Sequence, residues 1–311
     1  MPHDHEEHDH SHGYGHAHSH TPPDNNAAFA IGVALNLGFV VAEVAYGLAA
    51  HSLALLSDAG HNLSDVFGLL IAWGAIHISK SLPTKRHTYG LRRSSILAAL
   101  TNAIVLLVVV GGILWEAVGR FAHPETVAGG TVMWVAAAGV IINTVSALLF
   151  MAGRKRDLNI QGAFVHMASD ALVSVGVVVV GFTIGMTGWH WLDPAMSILI
   201  SLIIIWGTWG LLRESVNLAM DAVPKSIDIH AVEKYLEELK GVEAVHDLHI
   251  WGMSTTESAL TVHLVMPKPP TDGKFLHDVC HELHEHFEIG HTTIQIEHGD
   301  KECHQAPVHV V

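Results

Sequence analysis

His61 and Asp65 stand four residues apart in the run Ser57-Asp58-Ala59-Gly60-His61-Asn62-Leu63-Ser64-Asp65. On a helix that spacing puts both side chains on one face. The run lies in an apolar segment from about 53 to 79, long enough to cross a bilayer. His166 and Asp170 repeat the spacing in a later apolar segment. Ionisable groups at membrane depth are costly and are paired or functional. Two imidazole nitrogens and two carboxylate oxygens are a complete four-coordinate set for Zn2+.

The donor types narrow the chemistry further. Thiolates would hold the ion tightly, which suits storage. An all-carboxylate set would suit Mn2+ or Mg2+. The mixed set favours Zn2+, with Cd2+ or Co2+ as close relatives. The reference pKa of histidine, about 6.5, lies near cytoplasmic pH. Metal needs the neutral ring, so protons and metal compete for the same nitrogens. A site opening alternately to each side would exchange protons inward for metal outward. The competing reading is two buried His–Asp hydrogen bonds that only stabilise a bundle. One such spacing would be weak evidence, but two at mid-span are much stronger.

The elements that must position these residues follow from hydropathy. The chain has 311 residues, half of them hydrophobic and only 15% charged, below the quarter or so usual in soluble domains. Six apolar segments fall at about 27–50, 53–79, 94–121, 128–152, 161–186 and 191–212, each near the ~20 residues a bilayer needs. Lys80, Lys85, Arg86, Arg92 and Arg93 lie between the second and third, and Arg154, Lys155 and Arg156 between the fourth and fifth. Arg213 follows the sixth. The positive-inside rule then puts both termini in the cytoplasm. The reading is a multi-pass protein of the cell inner (plasma) membrane; compactness and the lack of a long His loop between the fourth and fifth segments favour a bacterial membrane over an organelle's.

Three regions result: a tail over 1–26, six helices over 27–212 and a soluble domain over 213–311. The tail interleaves His3, His5, His8, His10, His12, His16, His18 and His20 with Asp, Glu, Ser and Gly. It cannot bury a core, and its composition suits loose metal collection. The soluble domain carries seventeen acidic residues against seven Lys and Arg. That sign excludes a nucleic-acid partner and suits divalent cations. Its pattern reads α-β-β-α-β: a helix over 227–239, strands over 242–251 and 258–266, a helix over 274–288 and a strand over 292–297. An open, ferredoxin-like sheet covered by helices fits. Phe275, Val279, Leu283 and Phe287 should face inward. Cys280 and Cys303 make no disulfide framework. No secretory signal and no nucleotide-binding loop are visible.

Other polar residues have structural readings. Asn36, Glu43, Glu116 and Asn143 should make interhelical hydrogen bonds or sit near an interface. Asp58 reads as a carboxylate supporting the His61 ligand or lining an entry path. Asp193 should cap the sixth helix, with Pro194 in its first turn. Gly111-Gly112 and Gly129-Gly130 suggest close packing or turns. His246 and His263 lie on adjacent strands, where side chains come close. Strict alternation puts His249 on the other face, packed beside Trp251. His277, His281 and His284 share one helix face, and Glu302-Cys303-His304 could close a site from the tail.

The run Ser52-Leu53-Ala54-Leu55-Leu56-Ser57-Asp58-Ala59-Gly60-His61-x-x-x-Asp65 resembles the second-helix motif of the cation diffusion facilitator family. His166-x-x-Ser169-Asp170 resembles its fifth-helix partner. The loop His87-Thr88-Tyr89-Gly90 resembles a further family feature. So does the strand His246-Asp247-Leu248-His249-Ile250-Trp251, which is typical of the zinc-transporting branch. The likeness spans 27 to about 298. It implies a homodimer of six-helix protomers in the lipid bilayer, each with a cytoplasmic metallochaperone-like domain. It implies zinc/proton antiport through His61, Asp65, His166 and Asp170, and regulatory zinc at His246, His263, His277 and Glu297. Arg93 and Asp221 match a charge interlock at the membrane border. Of a loop site built from one Asp and two His in some bacterial relatives, only His87 is present.

The expectation is therefore a zinc exporter and not an enzyme. A zinc hydrolase would need an open fourth position and a general base, and no His-Glu-x-x-His occurs. A membrane-anchored zinc sensor would leave the paired spacings unexplained.

Overall fold

The structure, a computed structural model, describes residues 26–79, 83–123, 125–151, 158–270 and 273–299. The His-rich tail and the Glu302-Cys303-His304 segment lie outside the described residues.

Six long helices come first: α1 (Asn26–Ala49), α2 (Leu53–Ser79), α3 (Ser94–Ala122), α4 (Gly129–Met151), α5 (Leu158–Thr187) and α6 (Leu192–Ala219). Helices satisfy every mid-segment backbone group internally, which a bilayer demands. Among the described residues four stretches are long and apolar enough to cross a membrane: Ser94–Phe121, Gly129–Leu148, Met167–Thr187 and Leu192–Ala219. In α1 the described apolar stretch is the shorter Asn36–Ala49. Helix α2 runs unbroken through the polar residues Ser57, Asp58, His61, Asn62, Ser64 and Asp65. Trp115, Trp134 and Trp206 are 83%, 72% and 84% exposed; so much bare apolar surface fits lipid and not water.

Inside the bundle Leu55, Val110, Val132, Ala136, Val177 and Ile200 form one core. Small residues let α4 and α5 nearly touch. A Cβ on Gly129 would stand 2.6 Å from the Gly181 carbonyl oxygen, and one on Gly181 would stand 2.7 Å from the Met133 nitrogen. Gly111 and Gly112, by contrast, have open space where a Cβ would go. Glu43 makes the expected interhelical bond, accepting from Asn62 Nδ2 at 2.9 Å. Glu116 pairs with Arg120 near the end of α3, at 3.2 Å.

Helix α6 runs seven residues past the expected end. The composition change at Arg213 marks the edge of the apolar stretch, not of the helix. Beyond it, Ser215 and Leu218 are buried, and Leu218 lies against Gly252 of the soluble domain. The helix ends at Ala219, and Asp221, two residues on, stands in the left-handed region at φ 59°.

The soluble domain has α7 (Ile229–Glu237), β1 (Ala244–Gly252), β2 (Ser258–Val265), α8 (Lys274–Phe287) and β3 (His291–Glu297). The order is the expected α-β-β-α-β. The sheet order is β1-β2-β3, with β1 antiparallel to β2 and β2 parallel to β3. Asp228 caps α7, accepting from the His230 nitrogen at 3.0 Å and the Ala231 nitrogen at 3.4 Å. Leu260, Val262 and Leu264 alternate into a core with Val232, Leu236, Val279 and Leu283, leaving the odd-numbered face of β2 to other uses. Phe275 and Phe287 pack at the rim of this core.

The two parts are tied at the start of α3. Arg93 pairs with Asp221, as the likeness implied. Arg92 meets Glu257 at 3.1 Å, and the Thr255 nitrogen donates to Ser95 Oγ at 3.2 Å.

Candidate metal sites

Helix α2 is held from its first turn. Asp193 does not cap its own helix α6. It caps α2, accepting from the Leu53 nitrogen at 2.7 Å, from the Ala54 nitrogen at 3.4 Å and from Ser52 Oγ. A carboxylate there satisfies donors that a helix start leaves unpaired. One turn on, Ser57 Oγ lies 2.8 Å from Ser197 Oγ of α6. These contacts fix the depth and rotation of α2, and so the direction of His61.

His61 Nε2 lies 3.1 Å from Asp170 Oδ1 of α5. The His61 side chain is a quarter exposed, while that of Asp170 is almost fully buried. One residue from each sequence pair thus meets across two helices. The backbone of Asp65 lies in α2 and that of His166 in α5; their side chains lie outside the described residues. Around this pair is a fully buried polar cluster. Ser174 Oγ, one turn beyond Asp170, donates to Asp58 Oδ2 at 3.3 Å. Glu43, Asp58 and Ser174 have no exposed surface. In the sequence Asp58 and Glu43 stand as unrelated polar residues. That they face each other required the packing of α1 on α2.

In the soluble domain His246, His263 and Glu297 converge on the face away from the core, with ligand-type atoms all within 4.8 Å of one another. His246 Nε2 is 3.2 Å from Glu297 Oε2, and His263 Nδ1 is 3.0 Å from Glu297 Oε1. The register explains it: His246 is directly opposite His263, and Glu297 lies opposite Val265, two residues further on. His246 Nδ1 is buried without a partner among the described residues. His277 is not in this group. It stacks on His281 along α8, ring centroids 6.4 Å apart.

Two features of β1 depart from expectation. The pairing slips between His246 and His249, a bulge with Asp247 at φ 53°. The extra residue returns His249, opposite Thr261, to the His246 face. His249 is also exposed and not packed, with Nε2 2.9 Å from Asp247 Oδ1. Asp247 Oδ2 lies 3.4 Å from His263 Nε2, so this carboxylate joins the cluster. The left-handed tolerance of Asp was the one signal in the sequence for it.

Residues 29–218 match the model of the cation efflux transmembrane domain. The chain belongs to the cation efflux family. Residues 224–299 match that family's cytoplasmic domain, a dimerisation domain. Among its curated relatives is a protein of Shigella flexneri named zinc transporter ZitB, 40% identical over 93% of this chain and 92% of its own length. The cation efflux system protein CzcD of Alcaligenes sp. is 39% identical over 92% of this chain and 90% of its own. A Bacillus subtilis protein named cadmium, cobalt and zinc/H(+)-K(+) antiporter is 34% identical over 88% and 89%. These cation efflux proteins are named as transporters or antiporters, and the present chain is a membrane transporter of this family, not an enzyme.

Proposed function

We propose that the chain exports Zn2+ from the cytoplasm in exchange for protons, through a tetrahedral site of His61, Asp65, His166 and Asp170 between α2 and α5. The observation that carries the reading is the 3.1 Å approach of His61 to Asp170 from separate helices. Two rods that bring a nitrogen and an oxygen donor together can release them again by rocking, which is alternating access. Zinc is the cargo, in keeping with the names of the relatives, and Cd2+ or Co2+ fit the same donors.

In this reading all six helices span the bacterial inner membrane, with both termini cytoplasmic. The protein works as a homodimer through a ferredoxin-like, metallochaperone-like domain over 213–311. Zinc at His246, His263 and Glu297 regulates transport, with the buried, unpartnered His246 Nδ1 as the group that a bound ion would satisfy. His277 would join only from elsewhere in the dimer. Bound zinc draws the soluble domains together and favours transport, a coupling between sites. The tail over 1–26 gathers metal at the cytoplasmic entrance.

Proteoliposomes test this directly. Asp65→Ala and Asp170→Ala should abolish zinc flux while the dimer elutes normally. Flux that persists in both removes the transport-site assignment.

A further inference from the structure

The polar cluster beside the transport site contains a chemical imbalance. Glu43 on α1 and Asp58 on α2 have no exposed surface, and their carboxyls face each other within hydrogen-bonding reach. Each has one oxygen occupied. Asn62 Nδ2 donates to Glu43 Oε2 at 2.9 Å, and Ser174 Oγ donates to Asp58 Oδ2 at 3.3 Å. The other oxygens, Glu43 Oε1 and Asp58 Oδ1, are buried without a partner among the described residues.

Two carboxylates cannot hydrogen bond to each other, because neither can donate. One proton between the bare oxygens changes that: it lets one carboxyl donate and the other accept. Both orphaned atoms are then satisfied, and the net charge falls from two to one. Among the described residues no Lys or Arg offers an alternative. Helices α1, α2, α4 and α5 carry no Lys or Arg in their described spans. Arg120 of α3 engages Glu116 and Glu125 at the bundle's end, and Arg213 lies near the far end of α6. Among the described residues, the titratable groups that face the pair are His61 on α2 and Asp170 on α5. From α6 the Ser197 hydroxyl reaches the neighbouring turn, at Ser57.

We propose that Glu43 and Asp58 form a carboxylic acid–carboxylate pair that carries one counter-transported proton beside the metal site. This rests on the transport reading above and adds a proton carrier distinct from the metal ligands. Asp58 lies one helical turn before His61, and Ser174 lies one turn after Asp170, so the pair feels any ion held there. A dication arriving from the cytoplasm repels the shared proton, which leaves to the cytoplasm; the pair goes from one negative charge to two. When the ion departs outward, the doubly charged pair takes a proton from the outer side. The proton thus moves inward once for each ion moved outward, and no other reactant is needed.

The test uses the full-length protein and Zn2+ alone. Glu43→Gln and Asp58→Asn are isosteric, and an amide can donate to the remaining carboxylate, so each fixes the pair in its proton-loaded form. With a pH dye, each variant should release about one proton fewer per protomer on saturation with zinc than the unsubstituted protein. Proton-gradient-driven zinc uptake in proteoliposomes should fall at least tenfold, while zinc–zinc exchange persists. Infrared difference spectra of the unsubstituted protein should show a protonated-carboxyl band that disappears on zinc addition, shifts with 13C-glutamate or 13C-aspartate, and is absent from Glu43→Gln. An unchanged proton count in both variants overturns the proposal, as does the absence of a zinc-sensitive carboxyl band. The infrared arm needs no variant, so misfolding of either cannot shield the idea. Asp170→Ala run alongside separates the two readings: if it blocks flux while the proton counts stay unchanged, only the carboxyl pair falls.

Discussion

Asp193 in the first turn of α6 accepts a hydrogen bond from the Leu53 nitrogen at the start of α2, at 2.7 Å. The contact ties the helix that carries His61 to a neighbour more than a hundred residues away in sequence. A helix start buried in apolar surroundings has several N–H groups and no water. A carboxylate from the next helix supplies the missing acceptors, and Ser52 Oγ adds one for the Leu55 nitrogen at 3.2 Å. The position of His61 is thus set by a polar contact about two turns earlier in its helix.

Asp193→Ala should therefore be costly without touching a ligand. It orphans the Leu53 and Ala54 nitrogens and the Ser52 hydroxyl at a position with no exposure. A buried unsatisfied donor costs about 1–3 kcal/mol. The thermal midpoint in detergent should drop by several degrees, and Asp193→Asn, which keeps one acceptor oxygen, should drop less. Equal midpoints for the parent and Asp193→Ala would remove the capping argument.

The close approach of α4 and α5 gives a paired comparison. A methyl at Gly129 would meet the Gly181 carbonyl at 2.6 Å, whereas one at the adjacent Gly130 meets nothing within 4 Å. Gly129→Ala should force the helices apart at about 1–3 kcal/mol, and Gly130→Ala should lie within about 0.5 kcal/mol of the parent. Thermal unfolding of both variants in one detergent decides it; similar losses would mean that the contact is not a constraint.

Much of this architecture was legible in the sequence, because hydropathy and charge periodicity are local. The starts of α2 and α8 and the pairing of Arg93 with Asp221 follow from spacing and likeness. What escaped depends on partners distant in the chain. Asp193 looks like a cap for its own helix until α2 is beside it. Glu43 and Asp58 look like separate polar residues until α1 packs on α2. His249 alternates to the wrong face unless the bulge at Asp247 is known, and one inserted residue reverses every later side chain of a strand.

Cys280 offers a check on the packing of α8. Burial pushes its thiol up from the ordinary value. A raised thiol stays protonated where an unfolded one, near pKa ~8.5, has begun to ionise. Its contribution to stability is full below the unfolded pKa and is lost as pH rises through the folded one. Alkylation of Cys280 in a Cys303→Ser background should be slower at pH 8.5 in the native protein than in urea. Equal rates would mean that the thiol is not shielded.

The last prediction concerns Asp247, whose carboxylate reaches His263 Nε2 at 3.4 Å from a left-handed backbone at φ 53°. Its two roles separate by substitution. Asp247→Asn keeps a residue type that tolerates this backbone but removes the charge that orients the imidazole. Zinc affinity at the soluble-domain site should fall about tenfold, the low end for a lost outer partner of a metal-bound histidine, with the thermal midpoint little changed. Asp247→Val removes the carboxylate and adds about 1–2 kcal/mol of backbone strain, so it should lose both affinity and stability. Calorimetric zinc titration in an Asp170→Ala background with the tail histidines replaced by alanine isolates the soluble-domain site. If Asp247→Asn bound zinc there as tightly as the parent, the carboxylate would have no part in holding His263, and the bulge alone would account for the geometry.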